Sequence, residues 1–219
     1  MATTLIVGSK NYSSWSMRAG VAMLHIGSPY DEVVIPLGLA DTRERILRYS
    51  SAGLVPILQD GLTTVWDSLA IMEYLAERHP DAGLWPTAPD ARAFARSISA
   101  EMHAGFATLR RELPMNCRRR YARFQVGADA ARDVARVCEI WRDARNRYGV
   151  PTGGDFLFGD FGAADAMFAP VVSRFVTYGV KTDAVISAYV DAVMNAPAVR
   201  TWIESAAAEP MIAKYELPD

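Results

Sequence analysis

Apolar and polar positions follow one rule up to about Pro80 and another beyond it. In the first part, short apolar runs alternate with helical periods. Residues 3–7 read as a strand, and 14–26 read as a helix with Trp15, Ala19, Ala22 and Ile26 on one face. Residues 30–35 predict a second strand and 42–49 a short polar helix. The runs 55–59 and 62–65 flank Asp60-Gly61, and Asp-Gly between two apolar runs is the strongest short-range hairpin signal. Asp67 and Ser68 are cap-type residues before a helix carrying Leu69, Met72, Leu75 and Ala76, which His79-Pro80 ends.

Residues 81–90 hold two prolines and a glycine, the chemistry of a linker. Beyond it the period is helical throughout. Phe94, Ile98, Met102, Phe106, Leu109 and Leu113 predict one long helix, and Val134, Val137, Trp141 and Tyr148 another. Further helices fit 163–178, 183–195 and 198–207. Stripes of this kind are core faces rather than cofactor boxes. The expected organisation is an α/β domain over 1–80, a linker over 81–90 and an all-α domain over 91–219.

Composition narrows the chemistry. A chain of 219 residues buries a core without staples. Cys117 and Cys138 are too far apart in sequence for a CxxC pair, which argues against a disulfide framework, a zinc site or a dithiol centre and points to a reducing compartment. His25, His79 and His103 are isolated, so no metal is expected. Net charge is −2, with 20 Arg against 3 Lys. The arginines at 110, 111, 118, 119, 120 and 123 surround Glu112 and read as a solvated helix end, and the slightly acidic total argues against a nucleic-acid partner. No apolar run nears the roughly 20 residues of a membrane span, and the Met-Ala-Thr-Thr start lacks a basic leader, so the expectation is a cytoplasmic protein with no membrane partner.

The candidate chemistry lies in Asn11-Tyr12-Ser13-Ser14-Trp15-Ser16-Met17-Arg18, between the first strand and first helix. A helix start offers unpaired N–H groups and partial positive charge, which suit an anion. The elbow GxSxG of serine hydrolases is absent, so the hydroxyls of Ser13, Ser14 and Ser16 suit hydrogen-bond donation to an anion rather than attack; a purely capping role stays open. Lowering a thiol pKa by about two units takes roughly 2.7 kcal/mol. A helix start supplies up to about 1–2 kcal/mol and a hydrogen bond to a charged group about 1.5–3, so together they suffice. Val55-Pro56 opens a strand edge, trans by general frequency, and Asp67-Ser68 opens a helix able to hold a carboxylate or ammonium. Together these features suit an acidic peptide with a central thiol, which describes glutathione.

At this point the chain resembles the cytosolic glutathione S-transferases over essentially its whole length, most of all the zeta and related bacterial serine-type enzymes. The residues carrying the resemblance are Ser13-Ser14-Trp15-Ser16 with Arg18, Leu54-Val55-Pro56-Ile57-Leu58, the run from Trp66 to Leu75, and Phe161-Gly162-Ala163-Ala164-Asp165 through Pro170. The resemblance implies a thioredoxin-like N-terminal domain, an all-α helical C-terminal domain, glutathione as co-substrate and a homodimer. Ser13 would face the glutathione sulfur, with Ser14 and Ser16 as competitors. Val55, before a cis Pro56, would pair with the cysteinyl part, Asp67 and Ser68 would take the γ-glutamyl end, and His103 would also contact glutathione. A small-molecule electrophile would meet Tyr12, Met102, Phe106, Arg110 and Met115. Asp165 would serve folding. Two positions depart from the family: Leu54 replaces a common Lys or Gln, leaving Arg43 or Arg45 to take the glycyl carboxylate, and Gly162 replaces a capping Ser or Thr. The implied activity is glutathione transfer, with glutathione-dependent cis-trans isomerisation and non-catalytic binding as alternatives.

Overall fold

The computed structural model describes residues 3–121 and 123–217, so Met1-Ala2 of the expected leaderless start lie outside the described residues. Strand β1 (Thr3–Gly8) leads to helix α1 (Ser14–Ile26), β2 (Asp31–Ile35), α2 (Thr42–Leu47), β3 (Ile57–Asp60), β4 (Thr63–Val65) and α3 (Ser68–Arg78). The sheet order is β2-β1-β3-β4, with β2 parallel and β3 antiparallel to β1. β1 is thus an inner strand, and its alternation sends side chains to two cores. Leu5 and Val7 join the large cluster with α1 and α3, whereas Ile6 joins Ile35, Ile46 and Ile57 beneath α2. The hairpin turn falls one residue later than Asp60-Gly61 suggests. Asp60 pairs with Thr63, leaving Gly61, at φ 61°, and Leu62 as the loop.

Then follow α4 (Pro89–Ala104), α5 (Ala107–Glu112), α6 (Ala128–Ala144), α7 (Ala163–Thr177), α8 (Ala184–Asn195) and α9 (Pro197–Ala207). α7 is buried along nearly its whole length and packs on α1, α4 and α8. The large apolar cluster therefore runs without interruption from the sheet into the helices.

Three expectations change. The single helix read through Phe94 and Leu113 is two, because the chain turns at Gly105 and Phe106, the latter at φ 57°. Both pieces face the same core, so the apolar period crosses the break; the Asp133 carboxylate of α6 then accepts from the Leu109 N–H at 2.9 Å. Tyr148 belongs to a π turn (Arg145–Gly149) beyond α6 rather than to an α-helix. The arginines from 118 to 120 are no solvated helix end. Arg118 donates to the Glu209 carbonyl at 2.6 Å and to Tyr12 Oη at 3.0 Å, Arg120 to the Cys117 carbonyl at 3.1 Å, and Arg119 pairs with Glu216 at 3.4 Å.

These contacts tie the C-terminal part to the β1–α1 turn. The Glu209 carboxylate accepts from the N–H groups of Lys10 and Asn11 at 2.9 and 3.2 Å, and Trp202 Nε1 donates to the Lys10 carbonyl at 3.2 Å. Trp202 reaches that carbonyl by packing closely against Gly20 of α1, where a Cβ would stand 2.0 Å from its ring.

Candidate functional site

α1 begins in a relay of hydroxyls. Ser13 is the N-cap: its Oγ accepts from the Ser16 N–H at 3.3 Å and donates to Ser16 Oγ at 2.8 Å. Ser16 Oγ also accepts from the Gly8 N–H at 2.9 Å, and Ser16 is wholly buried. Ser16 therefore ties the cap to the end of β1 and presents nothing to a ligand. Ser14, the first helical residue, has no hydrogen-bond partner for its hydroxyl among the described residues and lines a cavity of about 290 Å³. Tyr12, Ser13, Trp15, Leu54, Val55 and Met115 line the same space.

Tyr12 contributes only its ring. Its hydroxyl donates to Glu216 at 2.5 Å and accepts from Arg118 and from the Ile212 N–H, both at 3.0 Å. Glu216 further accepts from Asn116 Nδ2 at 3.0 Å, and Tyr215 packs against Tyr12 with ring centres 5.4 Å apart. The segment after α9 thus forms one wall of the cavity, since Tyr215 lines it too.

Val55-Pro56 is a cis peptide, as is Trp66-Asp67. Pro56 is buried behind Val55. Leu54 is 69% exposed at the rim. Of the two arginines considered as its replacement, Arg45 is held by Asp41 at 2.7 Å, whereas the Arg43 guanidinium lies against Gly53, within 2.9 Å of where a Cβ would be.

Asp67 caps α3, accepting from the Leu69 N–H at 3.1 Å, and its other carboxylate oxygen meets His103 Nε2 at 3.1 Å. Ser68 is fully buried with an unpartnered hydroxyl, so its side chain faces the interior. Neither Asp67 nor His103 lines the Ser14 cavity. Trp15 bridges the two places: its ring lines the cavity and meets the His103 ring edge-on at 5.1 Å. Two guanidiniums flank the same indole, Arg18 at 4.3 Å and Arg110 at 5.5 Å. Arg110 also donates to the carbonyls of Met102 and His103. Met102 is fully buried in the core and Phe106 nearly so; neither lines the cavity.

Trp15, read from the sequence as part of the apolar face of α1, lines the cavity, and Arg18 lies behind it against its indole. Arg18 is 1% exposed, with Nε and Nη1 unpartnered. Burial, with Arg174 and Arg110 nearby, pulls its pKa down to about 9, still protonated at neutral pH. Its position one turn after Trp15 on α1 was the available signal.

Residues 12–78 match the family model for the glutathione S-transferase N-terminal domain. Over 96 residues the chain is 32% identical to a probable maleylacetoacetate isomerase of Caenorhabditis elegans, covering 44% of each protein. It is 29% identical over 177 residues to a maleylpyruvate isomerase of Ralstonia sp, covering 74% of this chain and 80% of that one. The chain spans less than half the length of the nematode relative that it matches. Among solved structures, a glutathione transferase homologue from Burkholderia gl BGR1 with bound glutathione aligns at a TM-score of 0.68 and 26% identity, over 95% of this chain and 100% of that one.

Proposed function

We propose that this chain, a member of the glutathione S-transferase family, binds glutathione in the Ser14 cavity as a thiolate and uses it to attack an electrophile. The observation that carries this reading is the unengaged Ser14 hydroxyl at the start of α1, facing a cavity that Val55 also lines. The sulfur accepts from Ser14, and the N-terminal charge of α1 favours its anionic form. Ser13 keeps its cap and orients the turn. Val55 lies opposite for the cysteinyl part, and Asp67 receives the γ-glutamyl ammonium, exchanging His103 for it. Arg43 replaces residue 54 as partner of the glycyl carboxylate. Tyr12 and Met115 border the electrophile, whose surroundings of Leu37, Ile46, Pro114 and Met115 are apolar. Met102, Phe106 and Arg110 act behind Trp15 rather than against the electrophile.

A second reading draws on the two isomerase relatives and on the guanidiniums of Arg18 and Arg110 beside Trp15. Here the thiolate adds to a carbon–carbon double bond of an acidic substrate, the new single bond rotates, and elimination returns both the double bond and glutathione. Counting thiols consumed per substrate converted separates the readings: one for transfer, none for isomerisation. A protein that takes up no glutathione at millimolar concentration refutes both and leaves a non-catalytic role for the fold. Further parts of this proposal are a homodimer, checked by sedimentation, and a cytoplasmic location, checked by fractionation.

A further inference from the structure

The cavity at Ser14 measures about 290 Å³, at the lower limit of small-molecule sites, roughly 300 Å³. The proposed function puts a tripeptide and an electrophile there together, so the walls decide how large the second molecule can be. One wall differs in kind from the rest. Tyr215 belongs to a single 3₁₀ turn (Ala213–Tyr215) after α9, is half-buried and stands outside the apolar clusters of the described residues. Its ring meets Tyr12 with centres 5.4 Å apart, and its edge passes 3.5 Å from where a Cβ on Gly38 would stand. It thus bridges the β1–α1 turn and the β2–α2 connection, which line the same cavity through Tyr12 and Leu37.

The ring has no anchor of its own. Among the described residues the Tyr215 hydroxyl has no hydrogen-bond partner, and it is not sealed from solvent. The turn contributes two backbone bonds, from the Tyr215 N–H to the Ile212 carbonyl at 2.9 Å and from the Glu216 N–H to the Ala213 carbonyl at 3.2 Å. So short a piece is held by its surroundings rather than by its own bonds. The next residue supplies the hold. The Glu216 carboxylate, 14% exposed, accepts from Tyr12 Oη at 2.5 Å and from Asn116 Nδ2 at 3.0 Å and pairs with Arg119 at 3.4 Å. On either side of the turn, the Ile212 N–H donates to Tyr12 Oη at 3.0 Å and the Leu217 N–H to Tyr121 Oη at 3.3 Å.

We propose that Tyr215 sets the size limit of the electrophile, with Glu216 as its positioning residue, an inference that rests on the glutathione reading above. A group with one ring fits beside the sulfur with Tyr215 in place. A fused two-ring group must push Tyr215 aside against the bonds that Glu216 makes.

Calorimetric titration of the full-length protein with glutathione, S-benzylglutathione and S-(2-naphthylmethyl)glutathione tests the proposal without requiring turnover. Wild type should bind glutathione saturably and prefer the benzyl over the naphthylmethyl ligand about tenfold or more, the scale of overpacking a closed wall. The ratio between the two conjugates cancels whatever a variant does to their shared glutathione part. Tyr215→Ala should bring that ratio to within about twofold of unity. Glu216→Gln, which removes the charge that holds Arg119, should lower the ratio partway, and adding it to Tyr215→Ala should change the ratio no further, because Glu216 acts through the ring. Glu216→Gln leaves the ring itself intact, so it reports on the same wall even if Tyr215→Ala disturbs folding. Equal wild-type affinities for the two conjugates, an unchanged ratio in Tyr215→Ala or in Glu216→Gln, or a full Glu216→Gln effect on top of Tyr215→Ala overturns the proposal. Absence of saturable glutathione binding to wild type refutes the glutathione reading and this proposal with it, whereas normal glutathione binding with a ratio that ignores Tyr215 overturns this proposal alone.

Discussion

At the level of single residues, the three serines of the turn divide their labour by position. Ser16 is buried and bonded to Gly8 and Ser13, Ser13 is a cap bonded to Ser16, and the Ser14 hydroxyl has no hydrogen-bond partner among the described residues, while Ser13 and Ser14 both line the cavity. The sequence made all three candidates and ranked Ser13 first. One residue of offset along a helix turns a side chain by about 100°, and the strand-to-helix turn that sets the phase cannot be read from residue types. Arg43 shows the same limit: its place against Gly53 depends on how the α2–β3 connection folds back. Arg43→Ala is expected to weaken glutathione binding about two- to fivefold, the scale of an exposed ion pair. Binding of γ-glutamylcysteine, which lacks the glycyl carboxylate, should not change. Equal loss for both ligands would remove Arg43 from that subsite.

Between elements, the decisive contacts are close approaches that the apolar period does not encode. Gly20 lets Trp202 of α9 lie on α1. Gly20→Ala gains about 1 kcal/mol of helix propensity but drives a methyl into the ring, a clash at the upper end of the 1–3 kcal/mol that overpacking costs. A net loss of about 2 kcal/mol in urea unfolding is expected, and an unchanged midpoint would contradict that packing. Gly162 at the start of α7 is similar: a Cβ there would stand 2.8 Å from the Leu84 carbonyl, so a capping serine or threonine has no room. The cap comes instead from Asp165, which accepts from the Gly162 N–H at 3.0 Å.

Asp165 gives this cap a pH signature. Burial pushes its pKa up to about 6 despite its three donors, whereas the unfolded chain has an ordinary aspartate near 4. Between those values the folded state binds the extra proton, so this group's contribution falls as pH rises from about 4 to about 6. Wild type minus Asp165→Asn in unfolding free energy should therefore drop by about 3 kcal/mol across that window and be flat above it. A difference independent of pH would show that Asp165 does not titrate there. The helix itself was legible in the sequence, because Gly162 and Asp165 punctuate a strong apolar run.

On the scale of the whole molecule, the element order and the change to an all-helical pattern could be read from periodicity, since each element carries its own alternation. What closes the cavity at Ser14 could not. Tyr12 meets Glu216 and Tyr215 across some two hundred residues of chain, and the arginines that looked like a solvated cluster hold that segment in place. Such contacts leave no local pattern, because each partner alone is an ordinary polar residue of a loop. They give the turn at Ser13 and Ser14 a fixed frame from the C-terminal part.

The central claim is that glutathione binds here as a thiolate held by Ser14 at the start of α1, and ultraviolet titration of the bound thiol tests it most directly. Wild type and Ser13→Ala should both show thiolate at neutral pH, with a bound pKa about two units below that of a free thiol; Ser13→Ala should also lose about 1 kcal/mol of folding stability through its cap. Ser14→Ala should return the bound thiol toward its free value while unfolding like wild type. A thiol that titrates identically in wild type and Ser14→Ala would contradict the account.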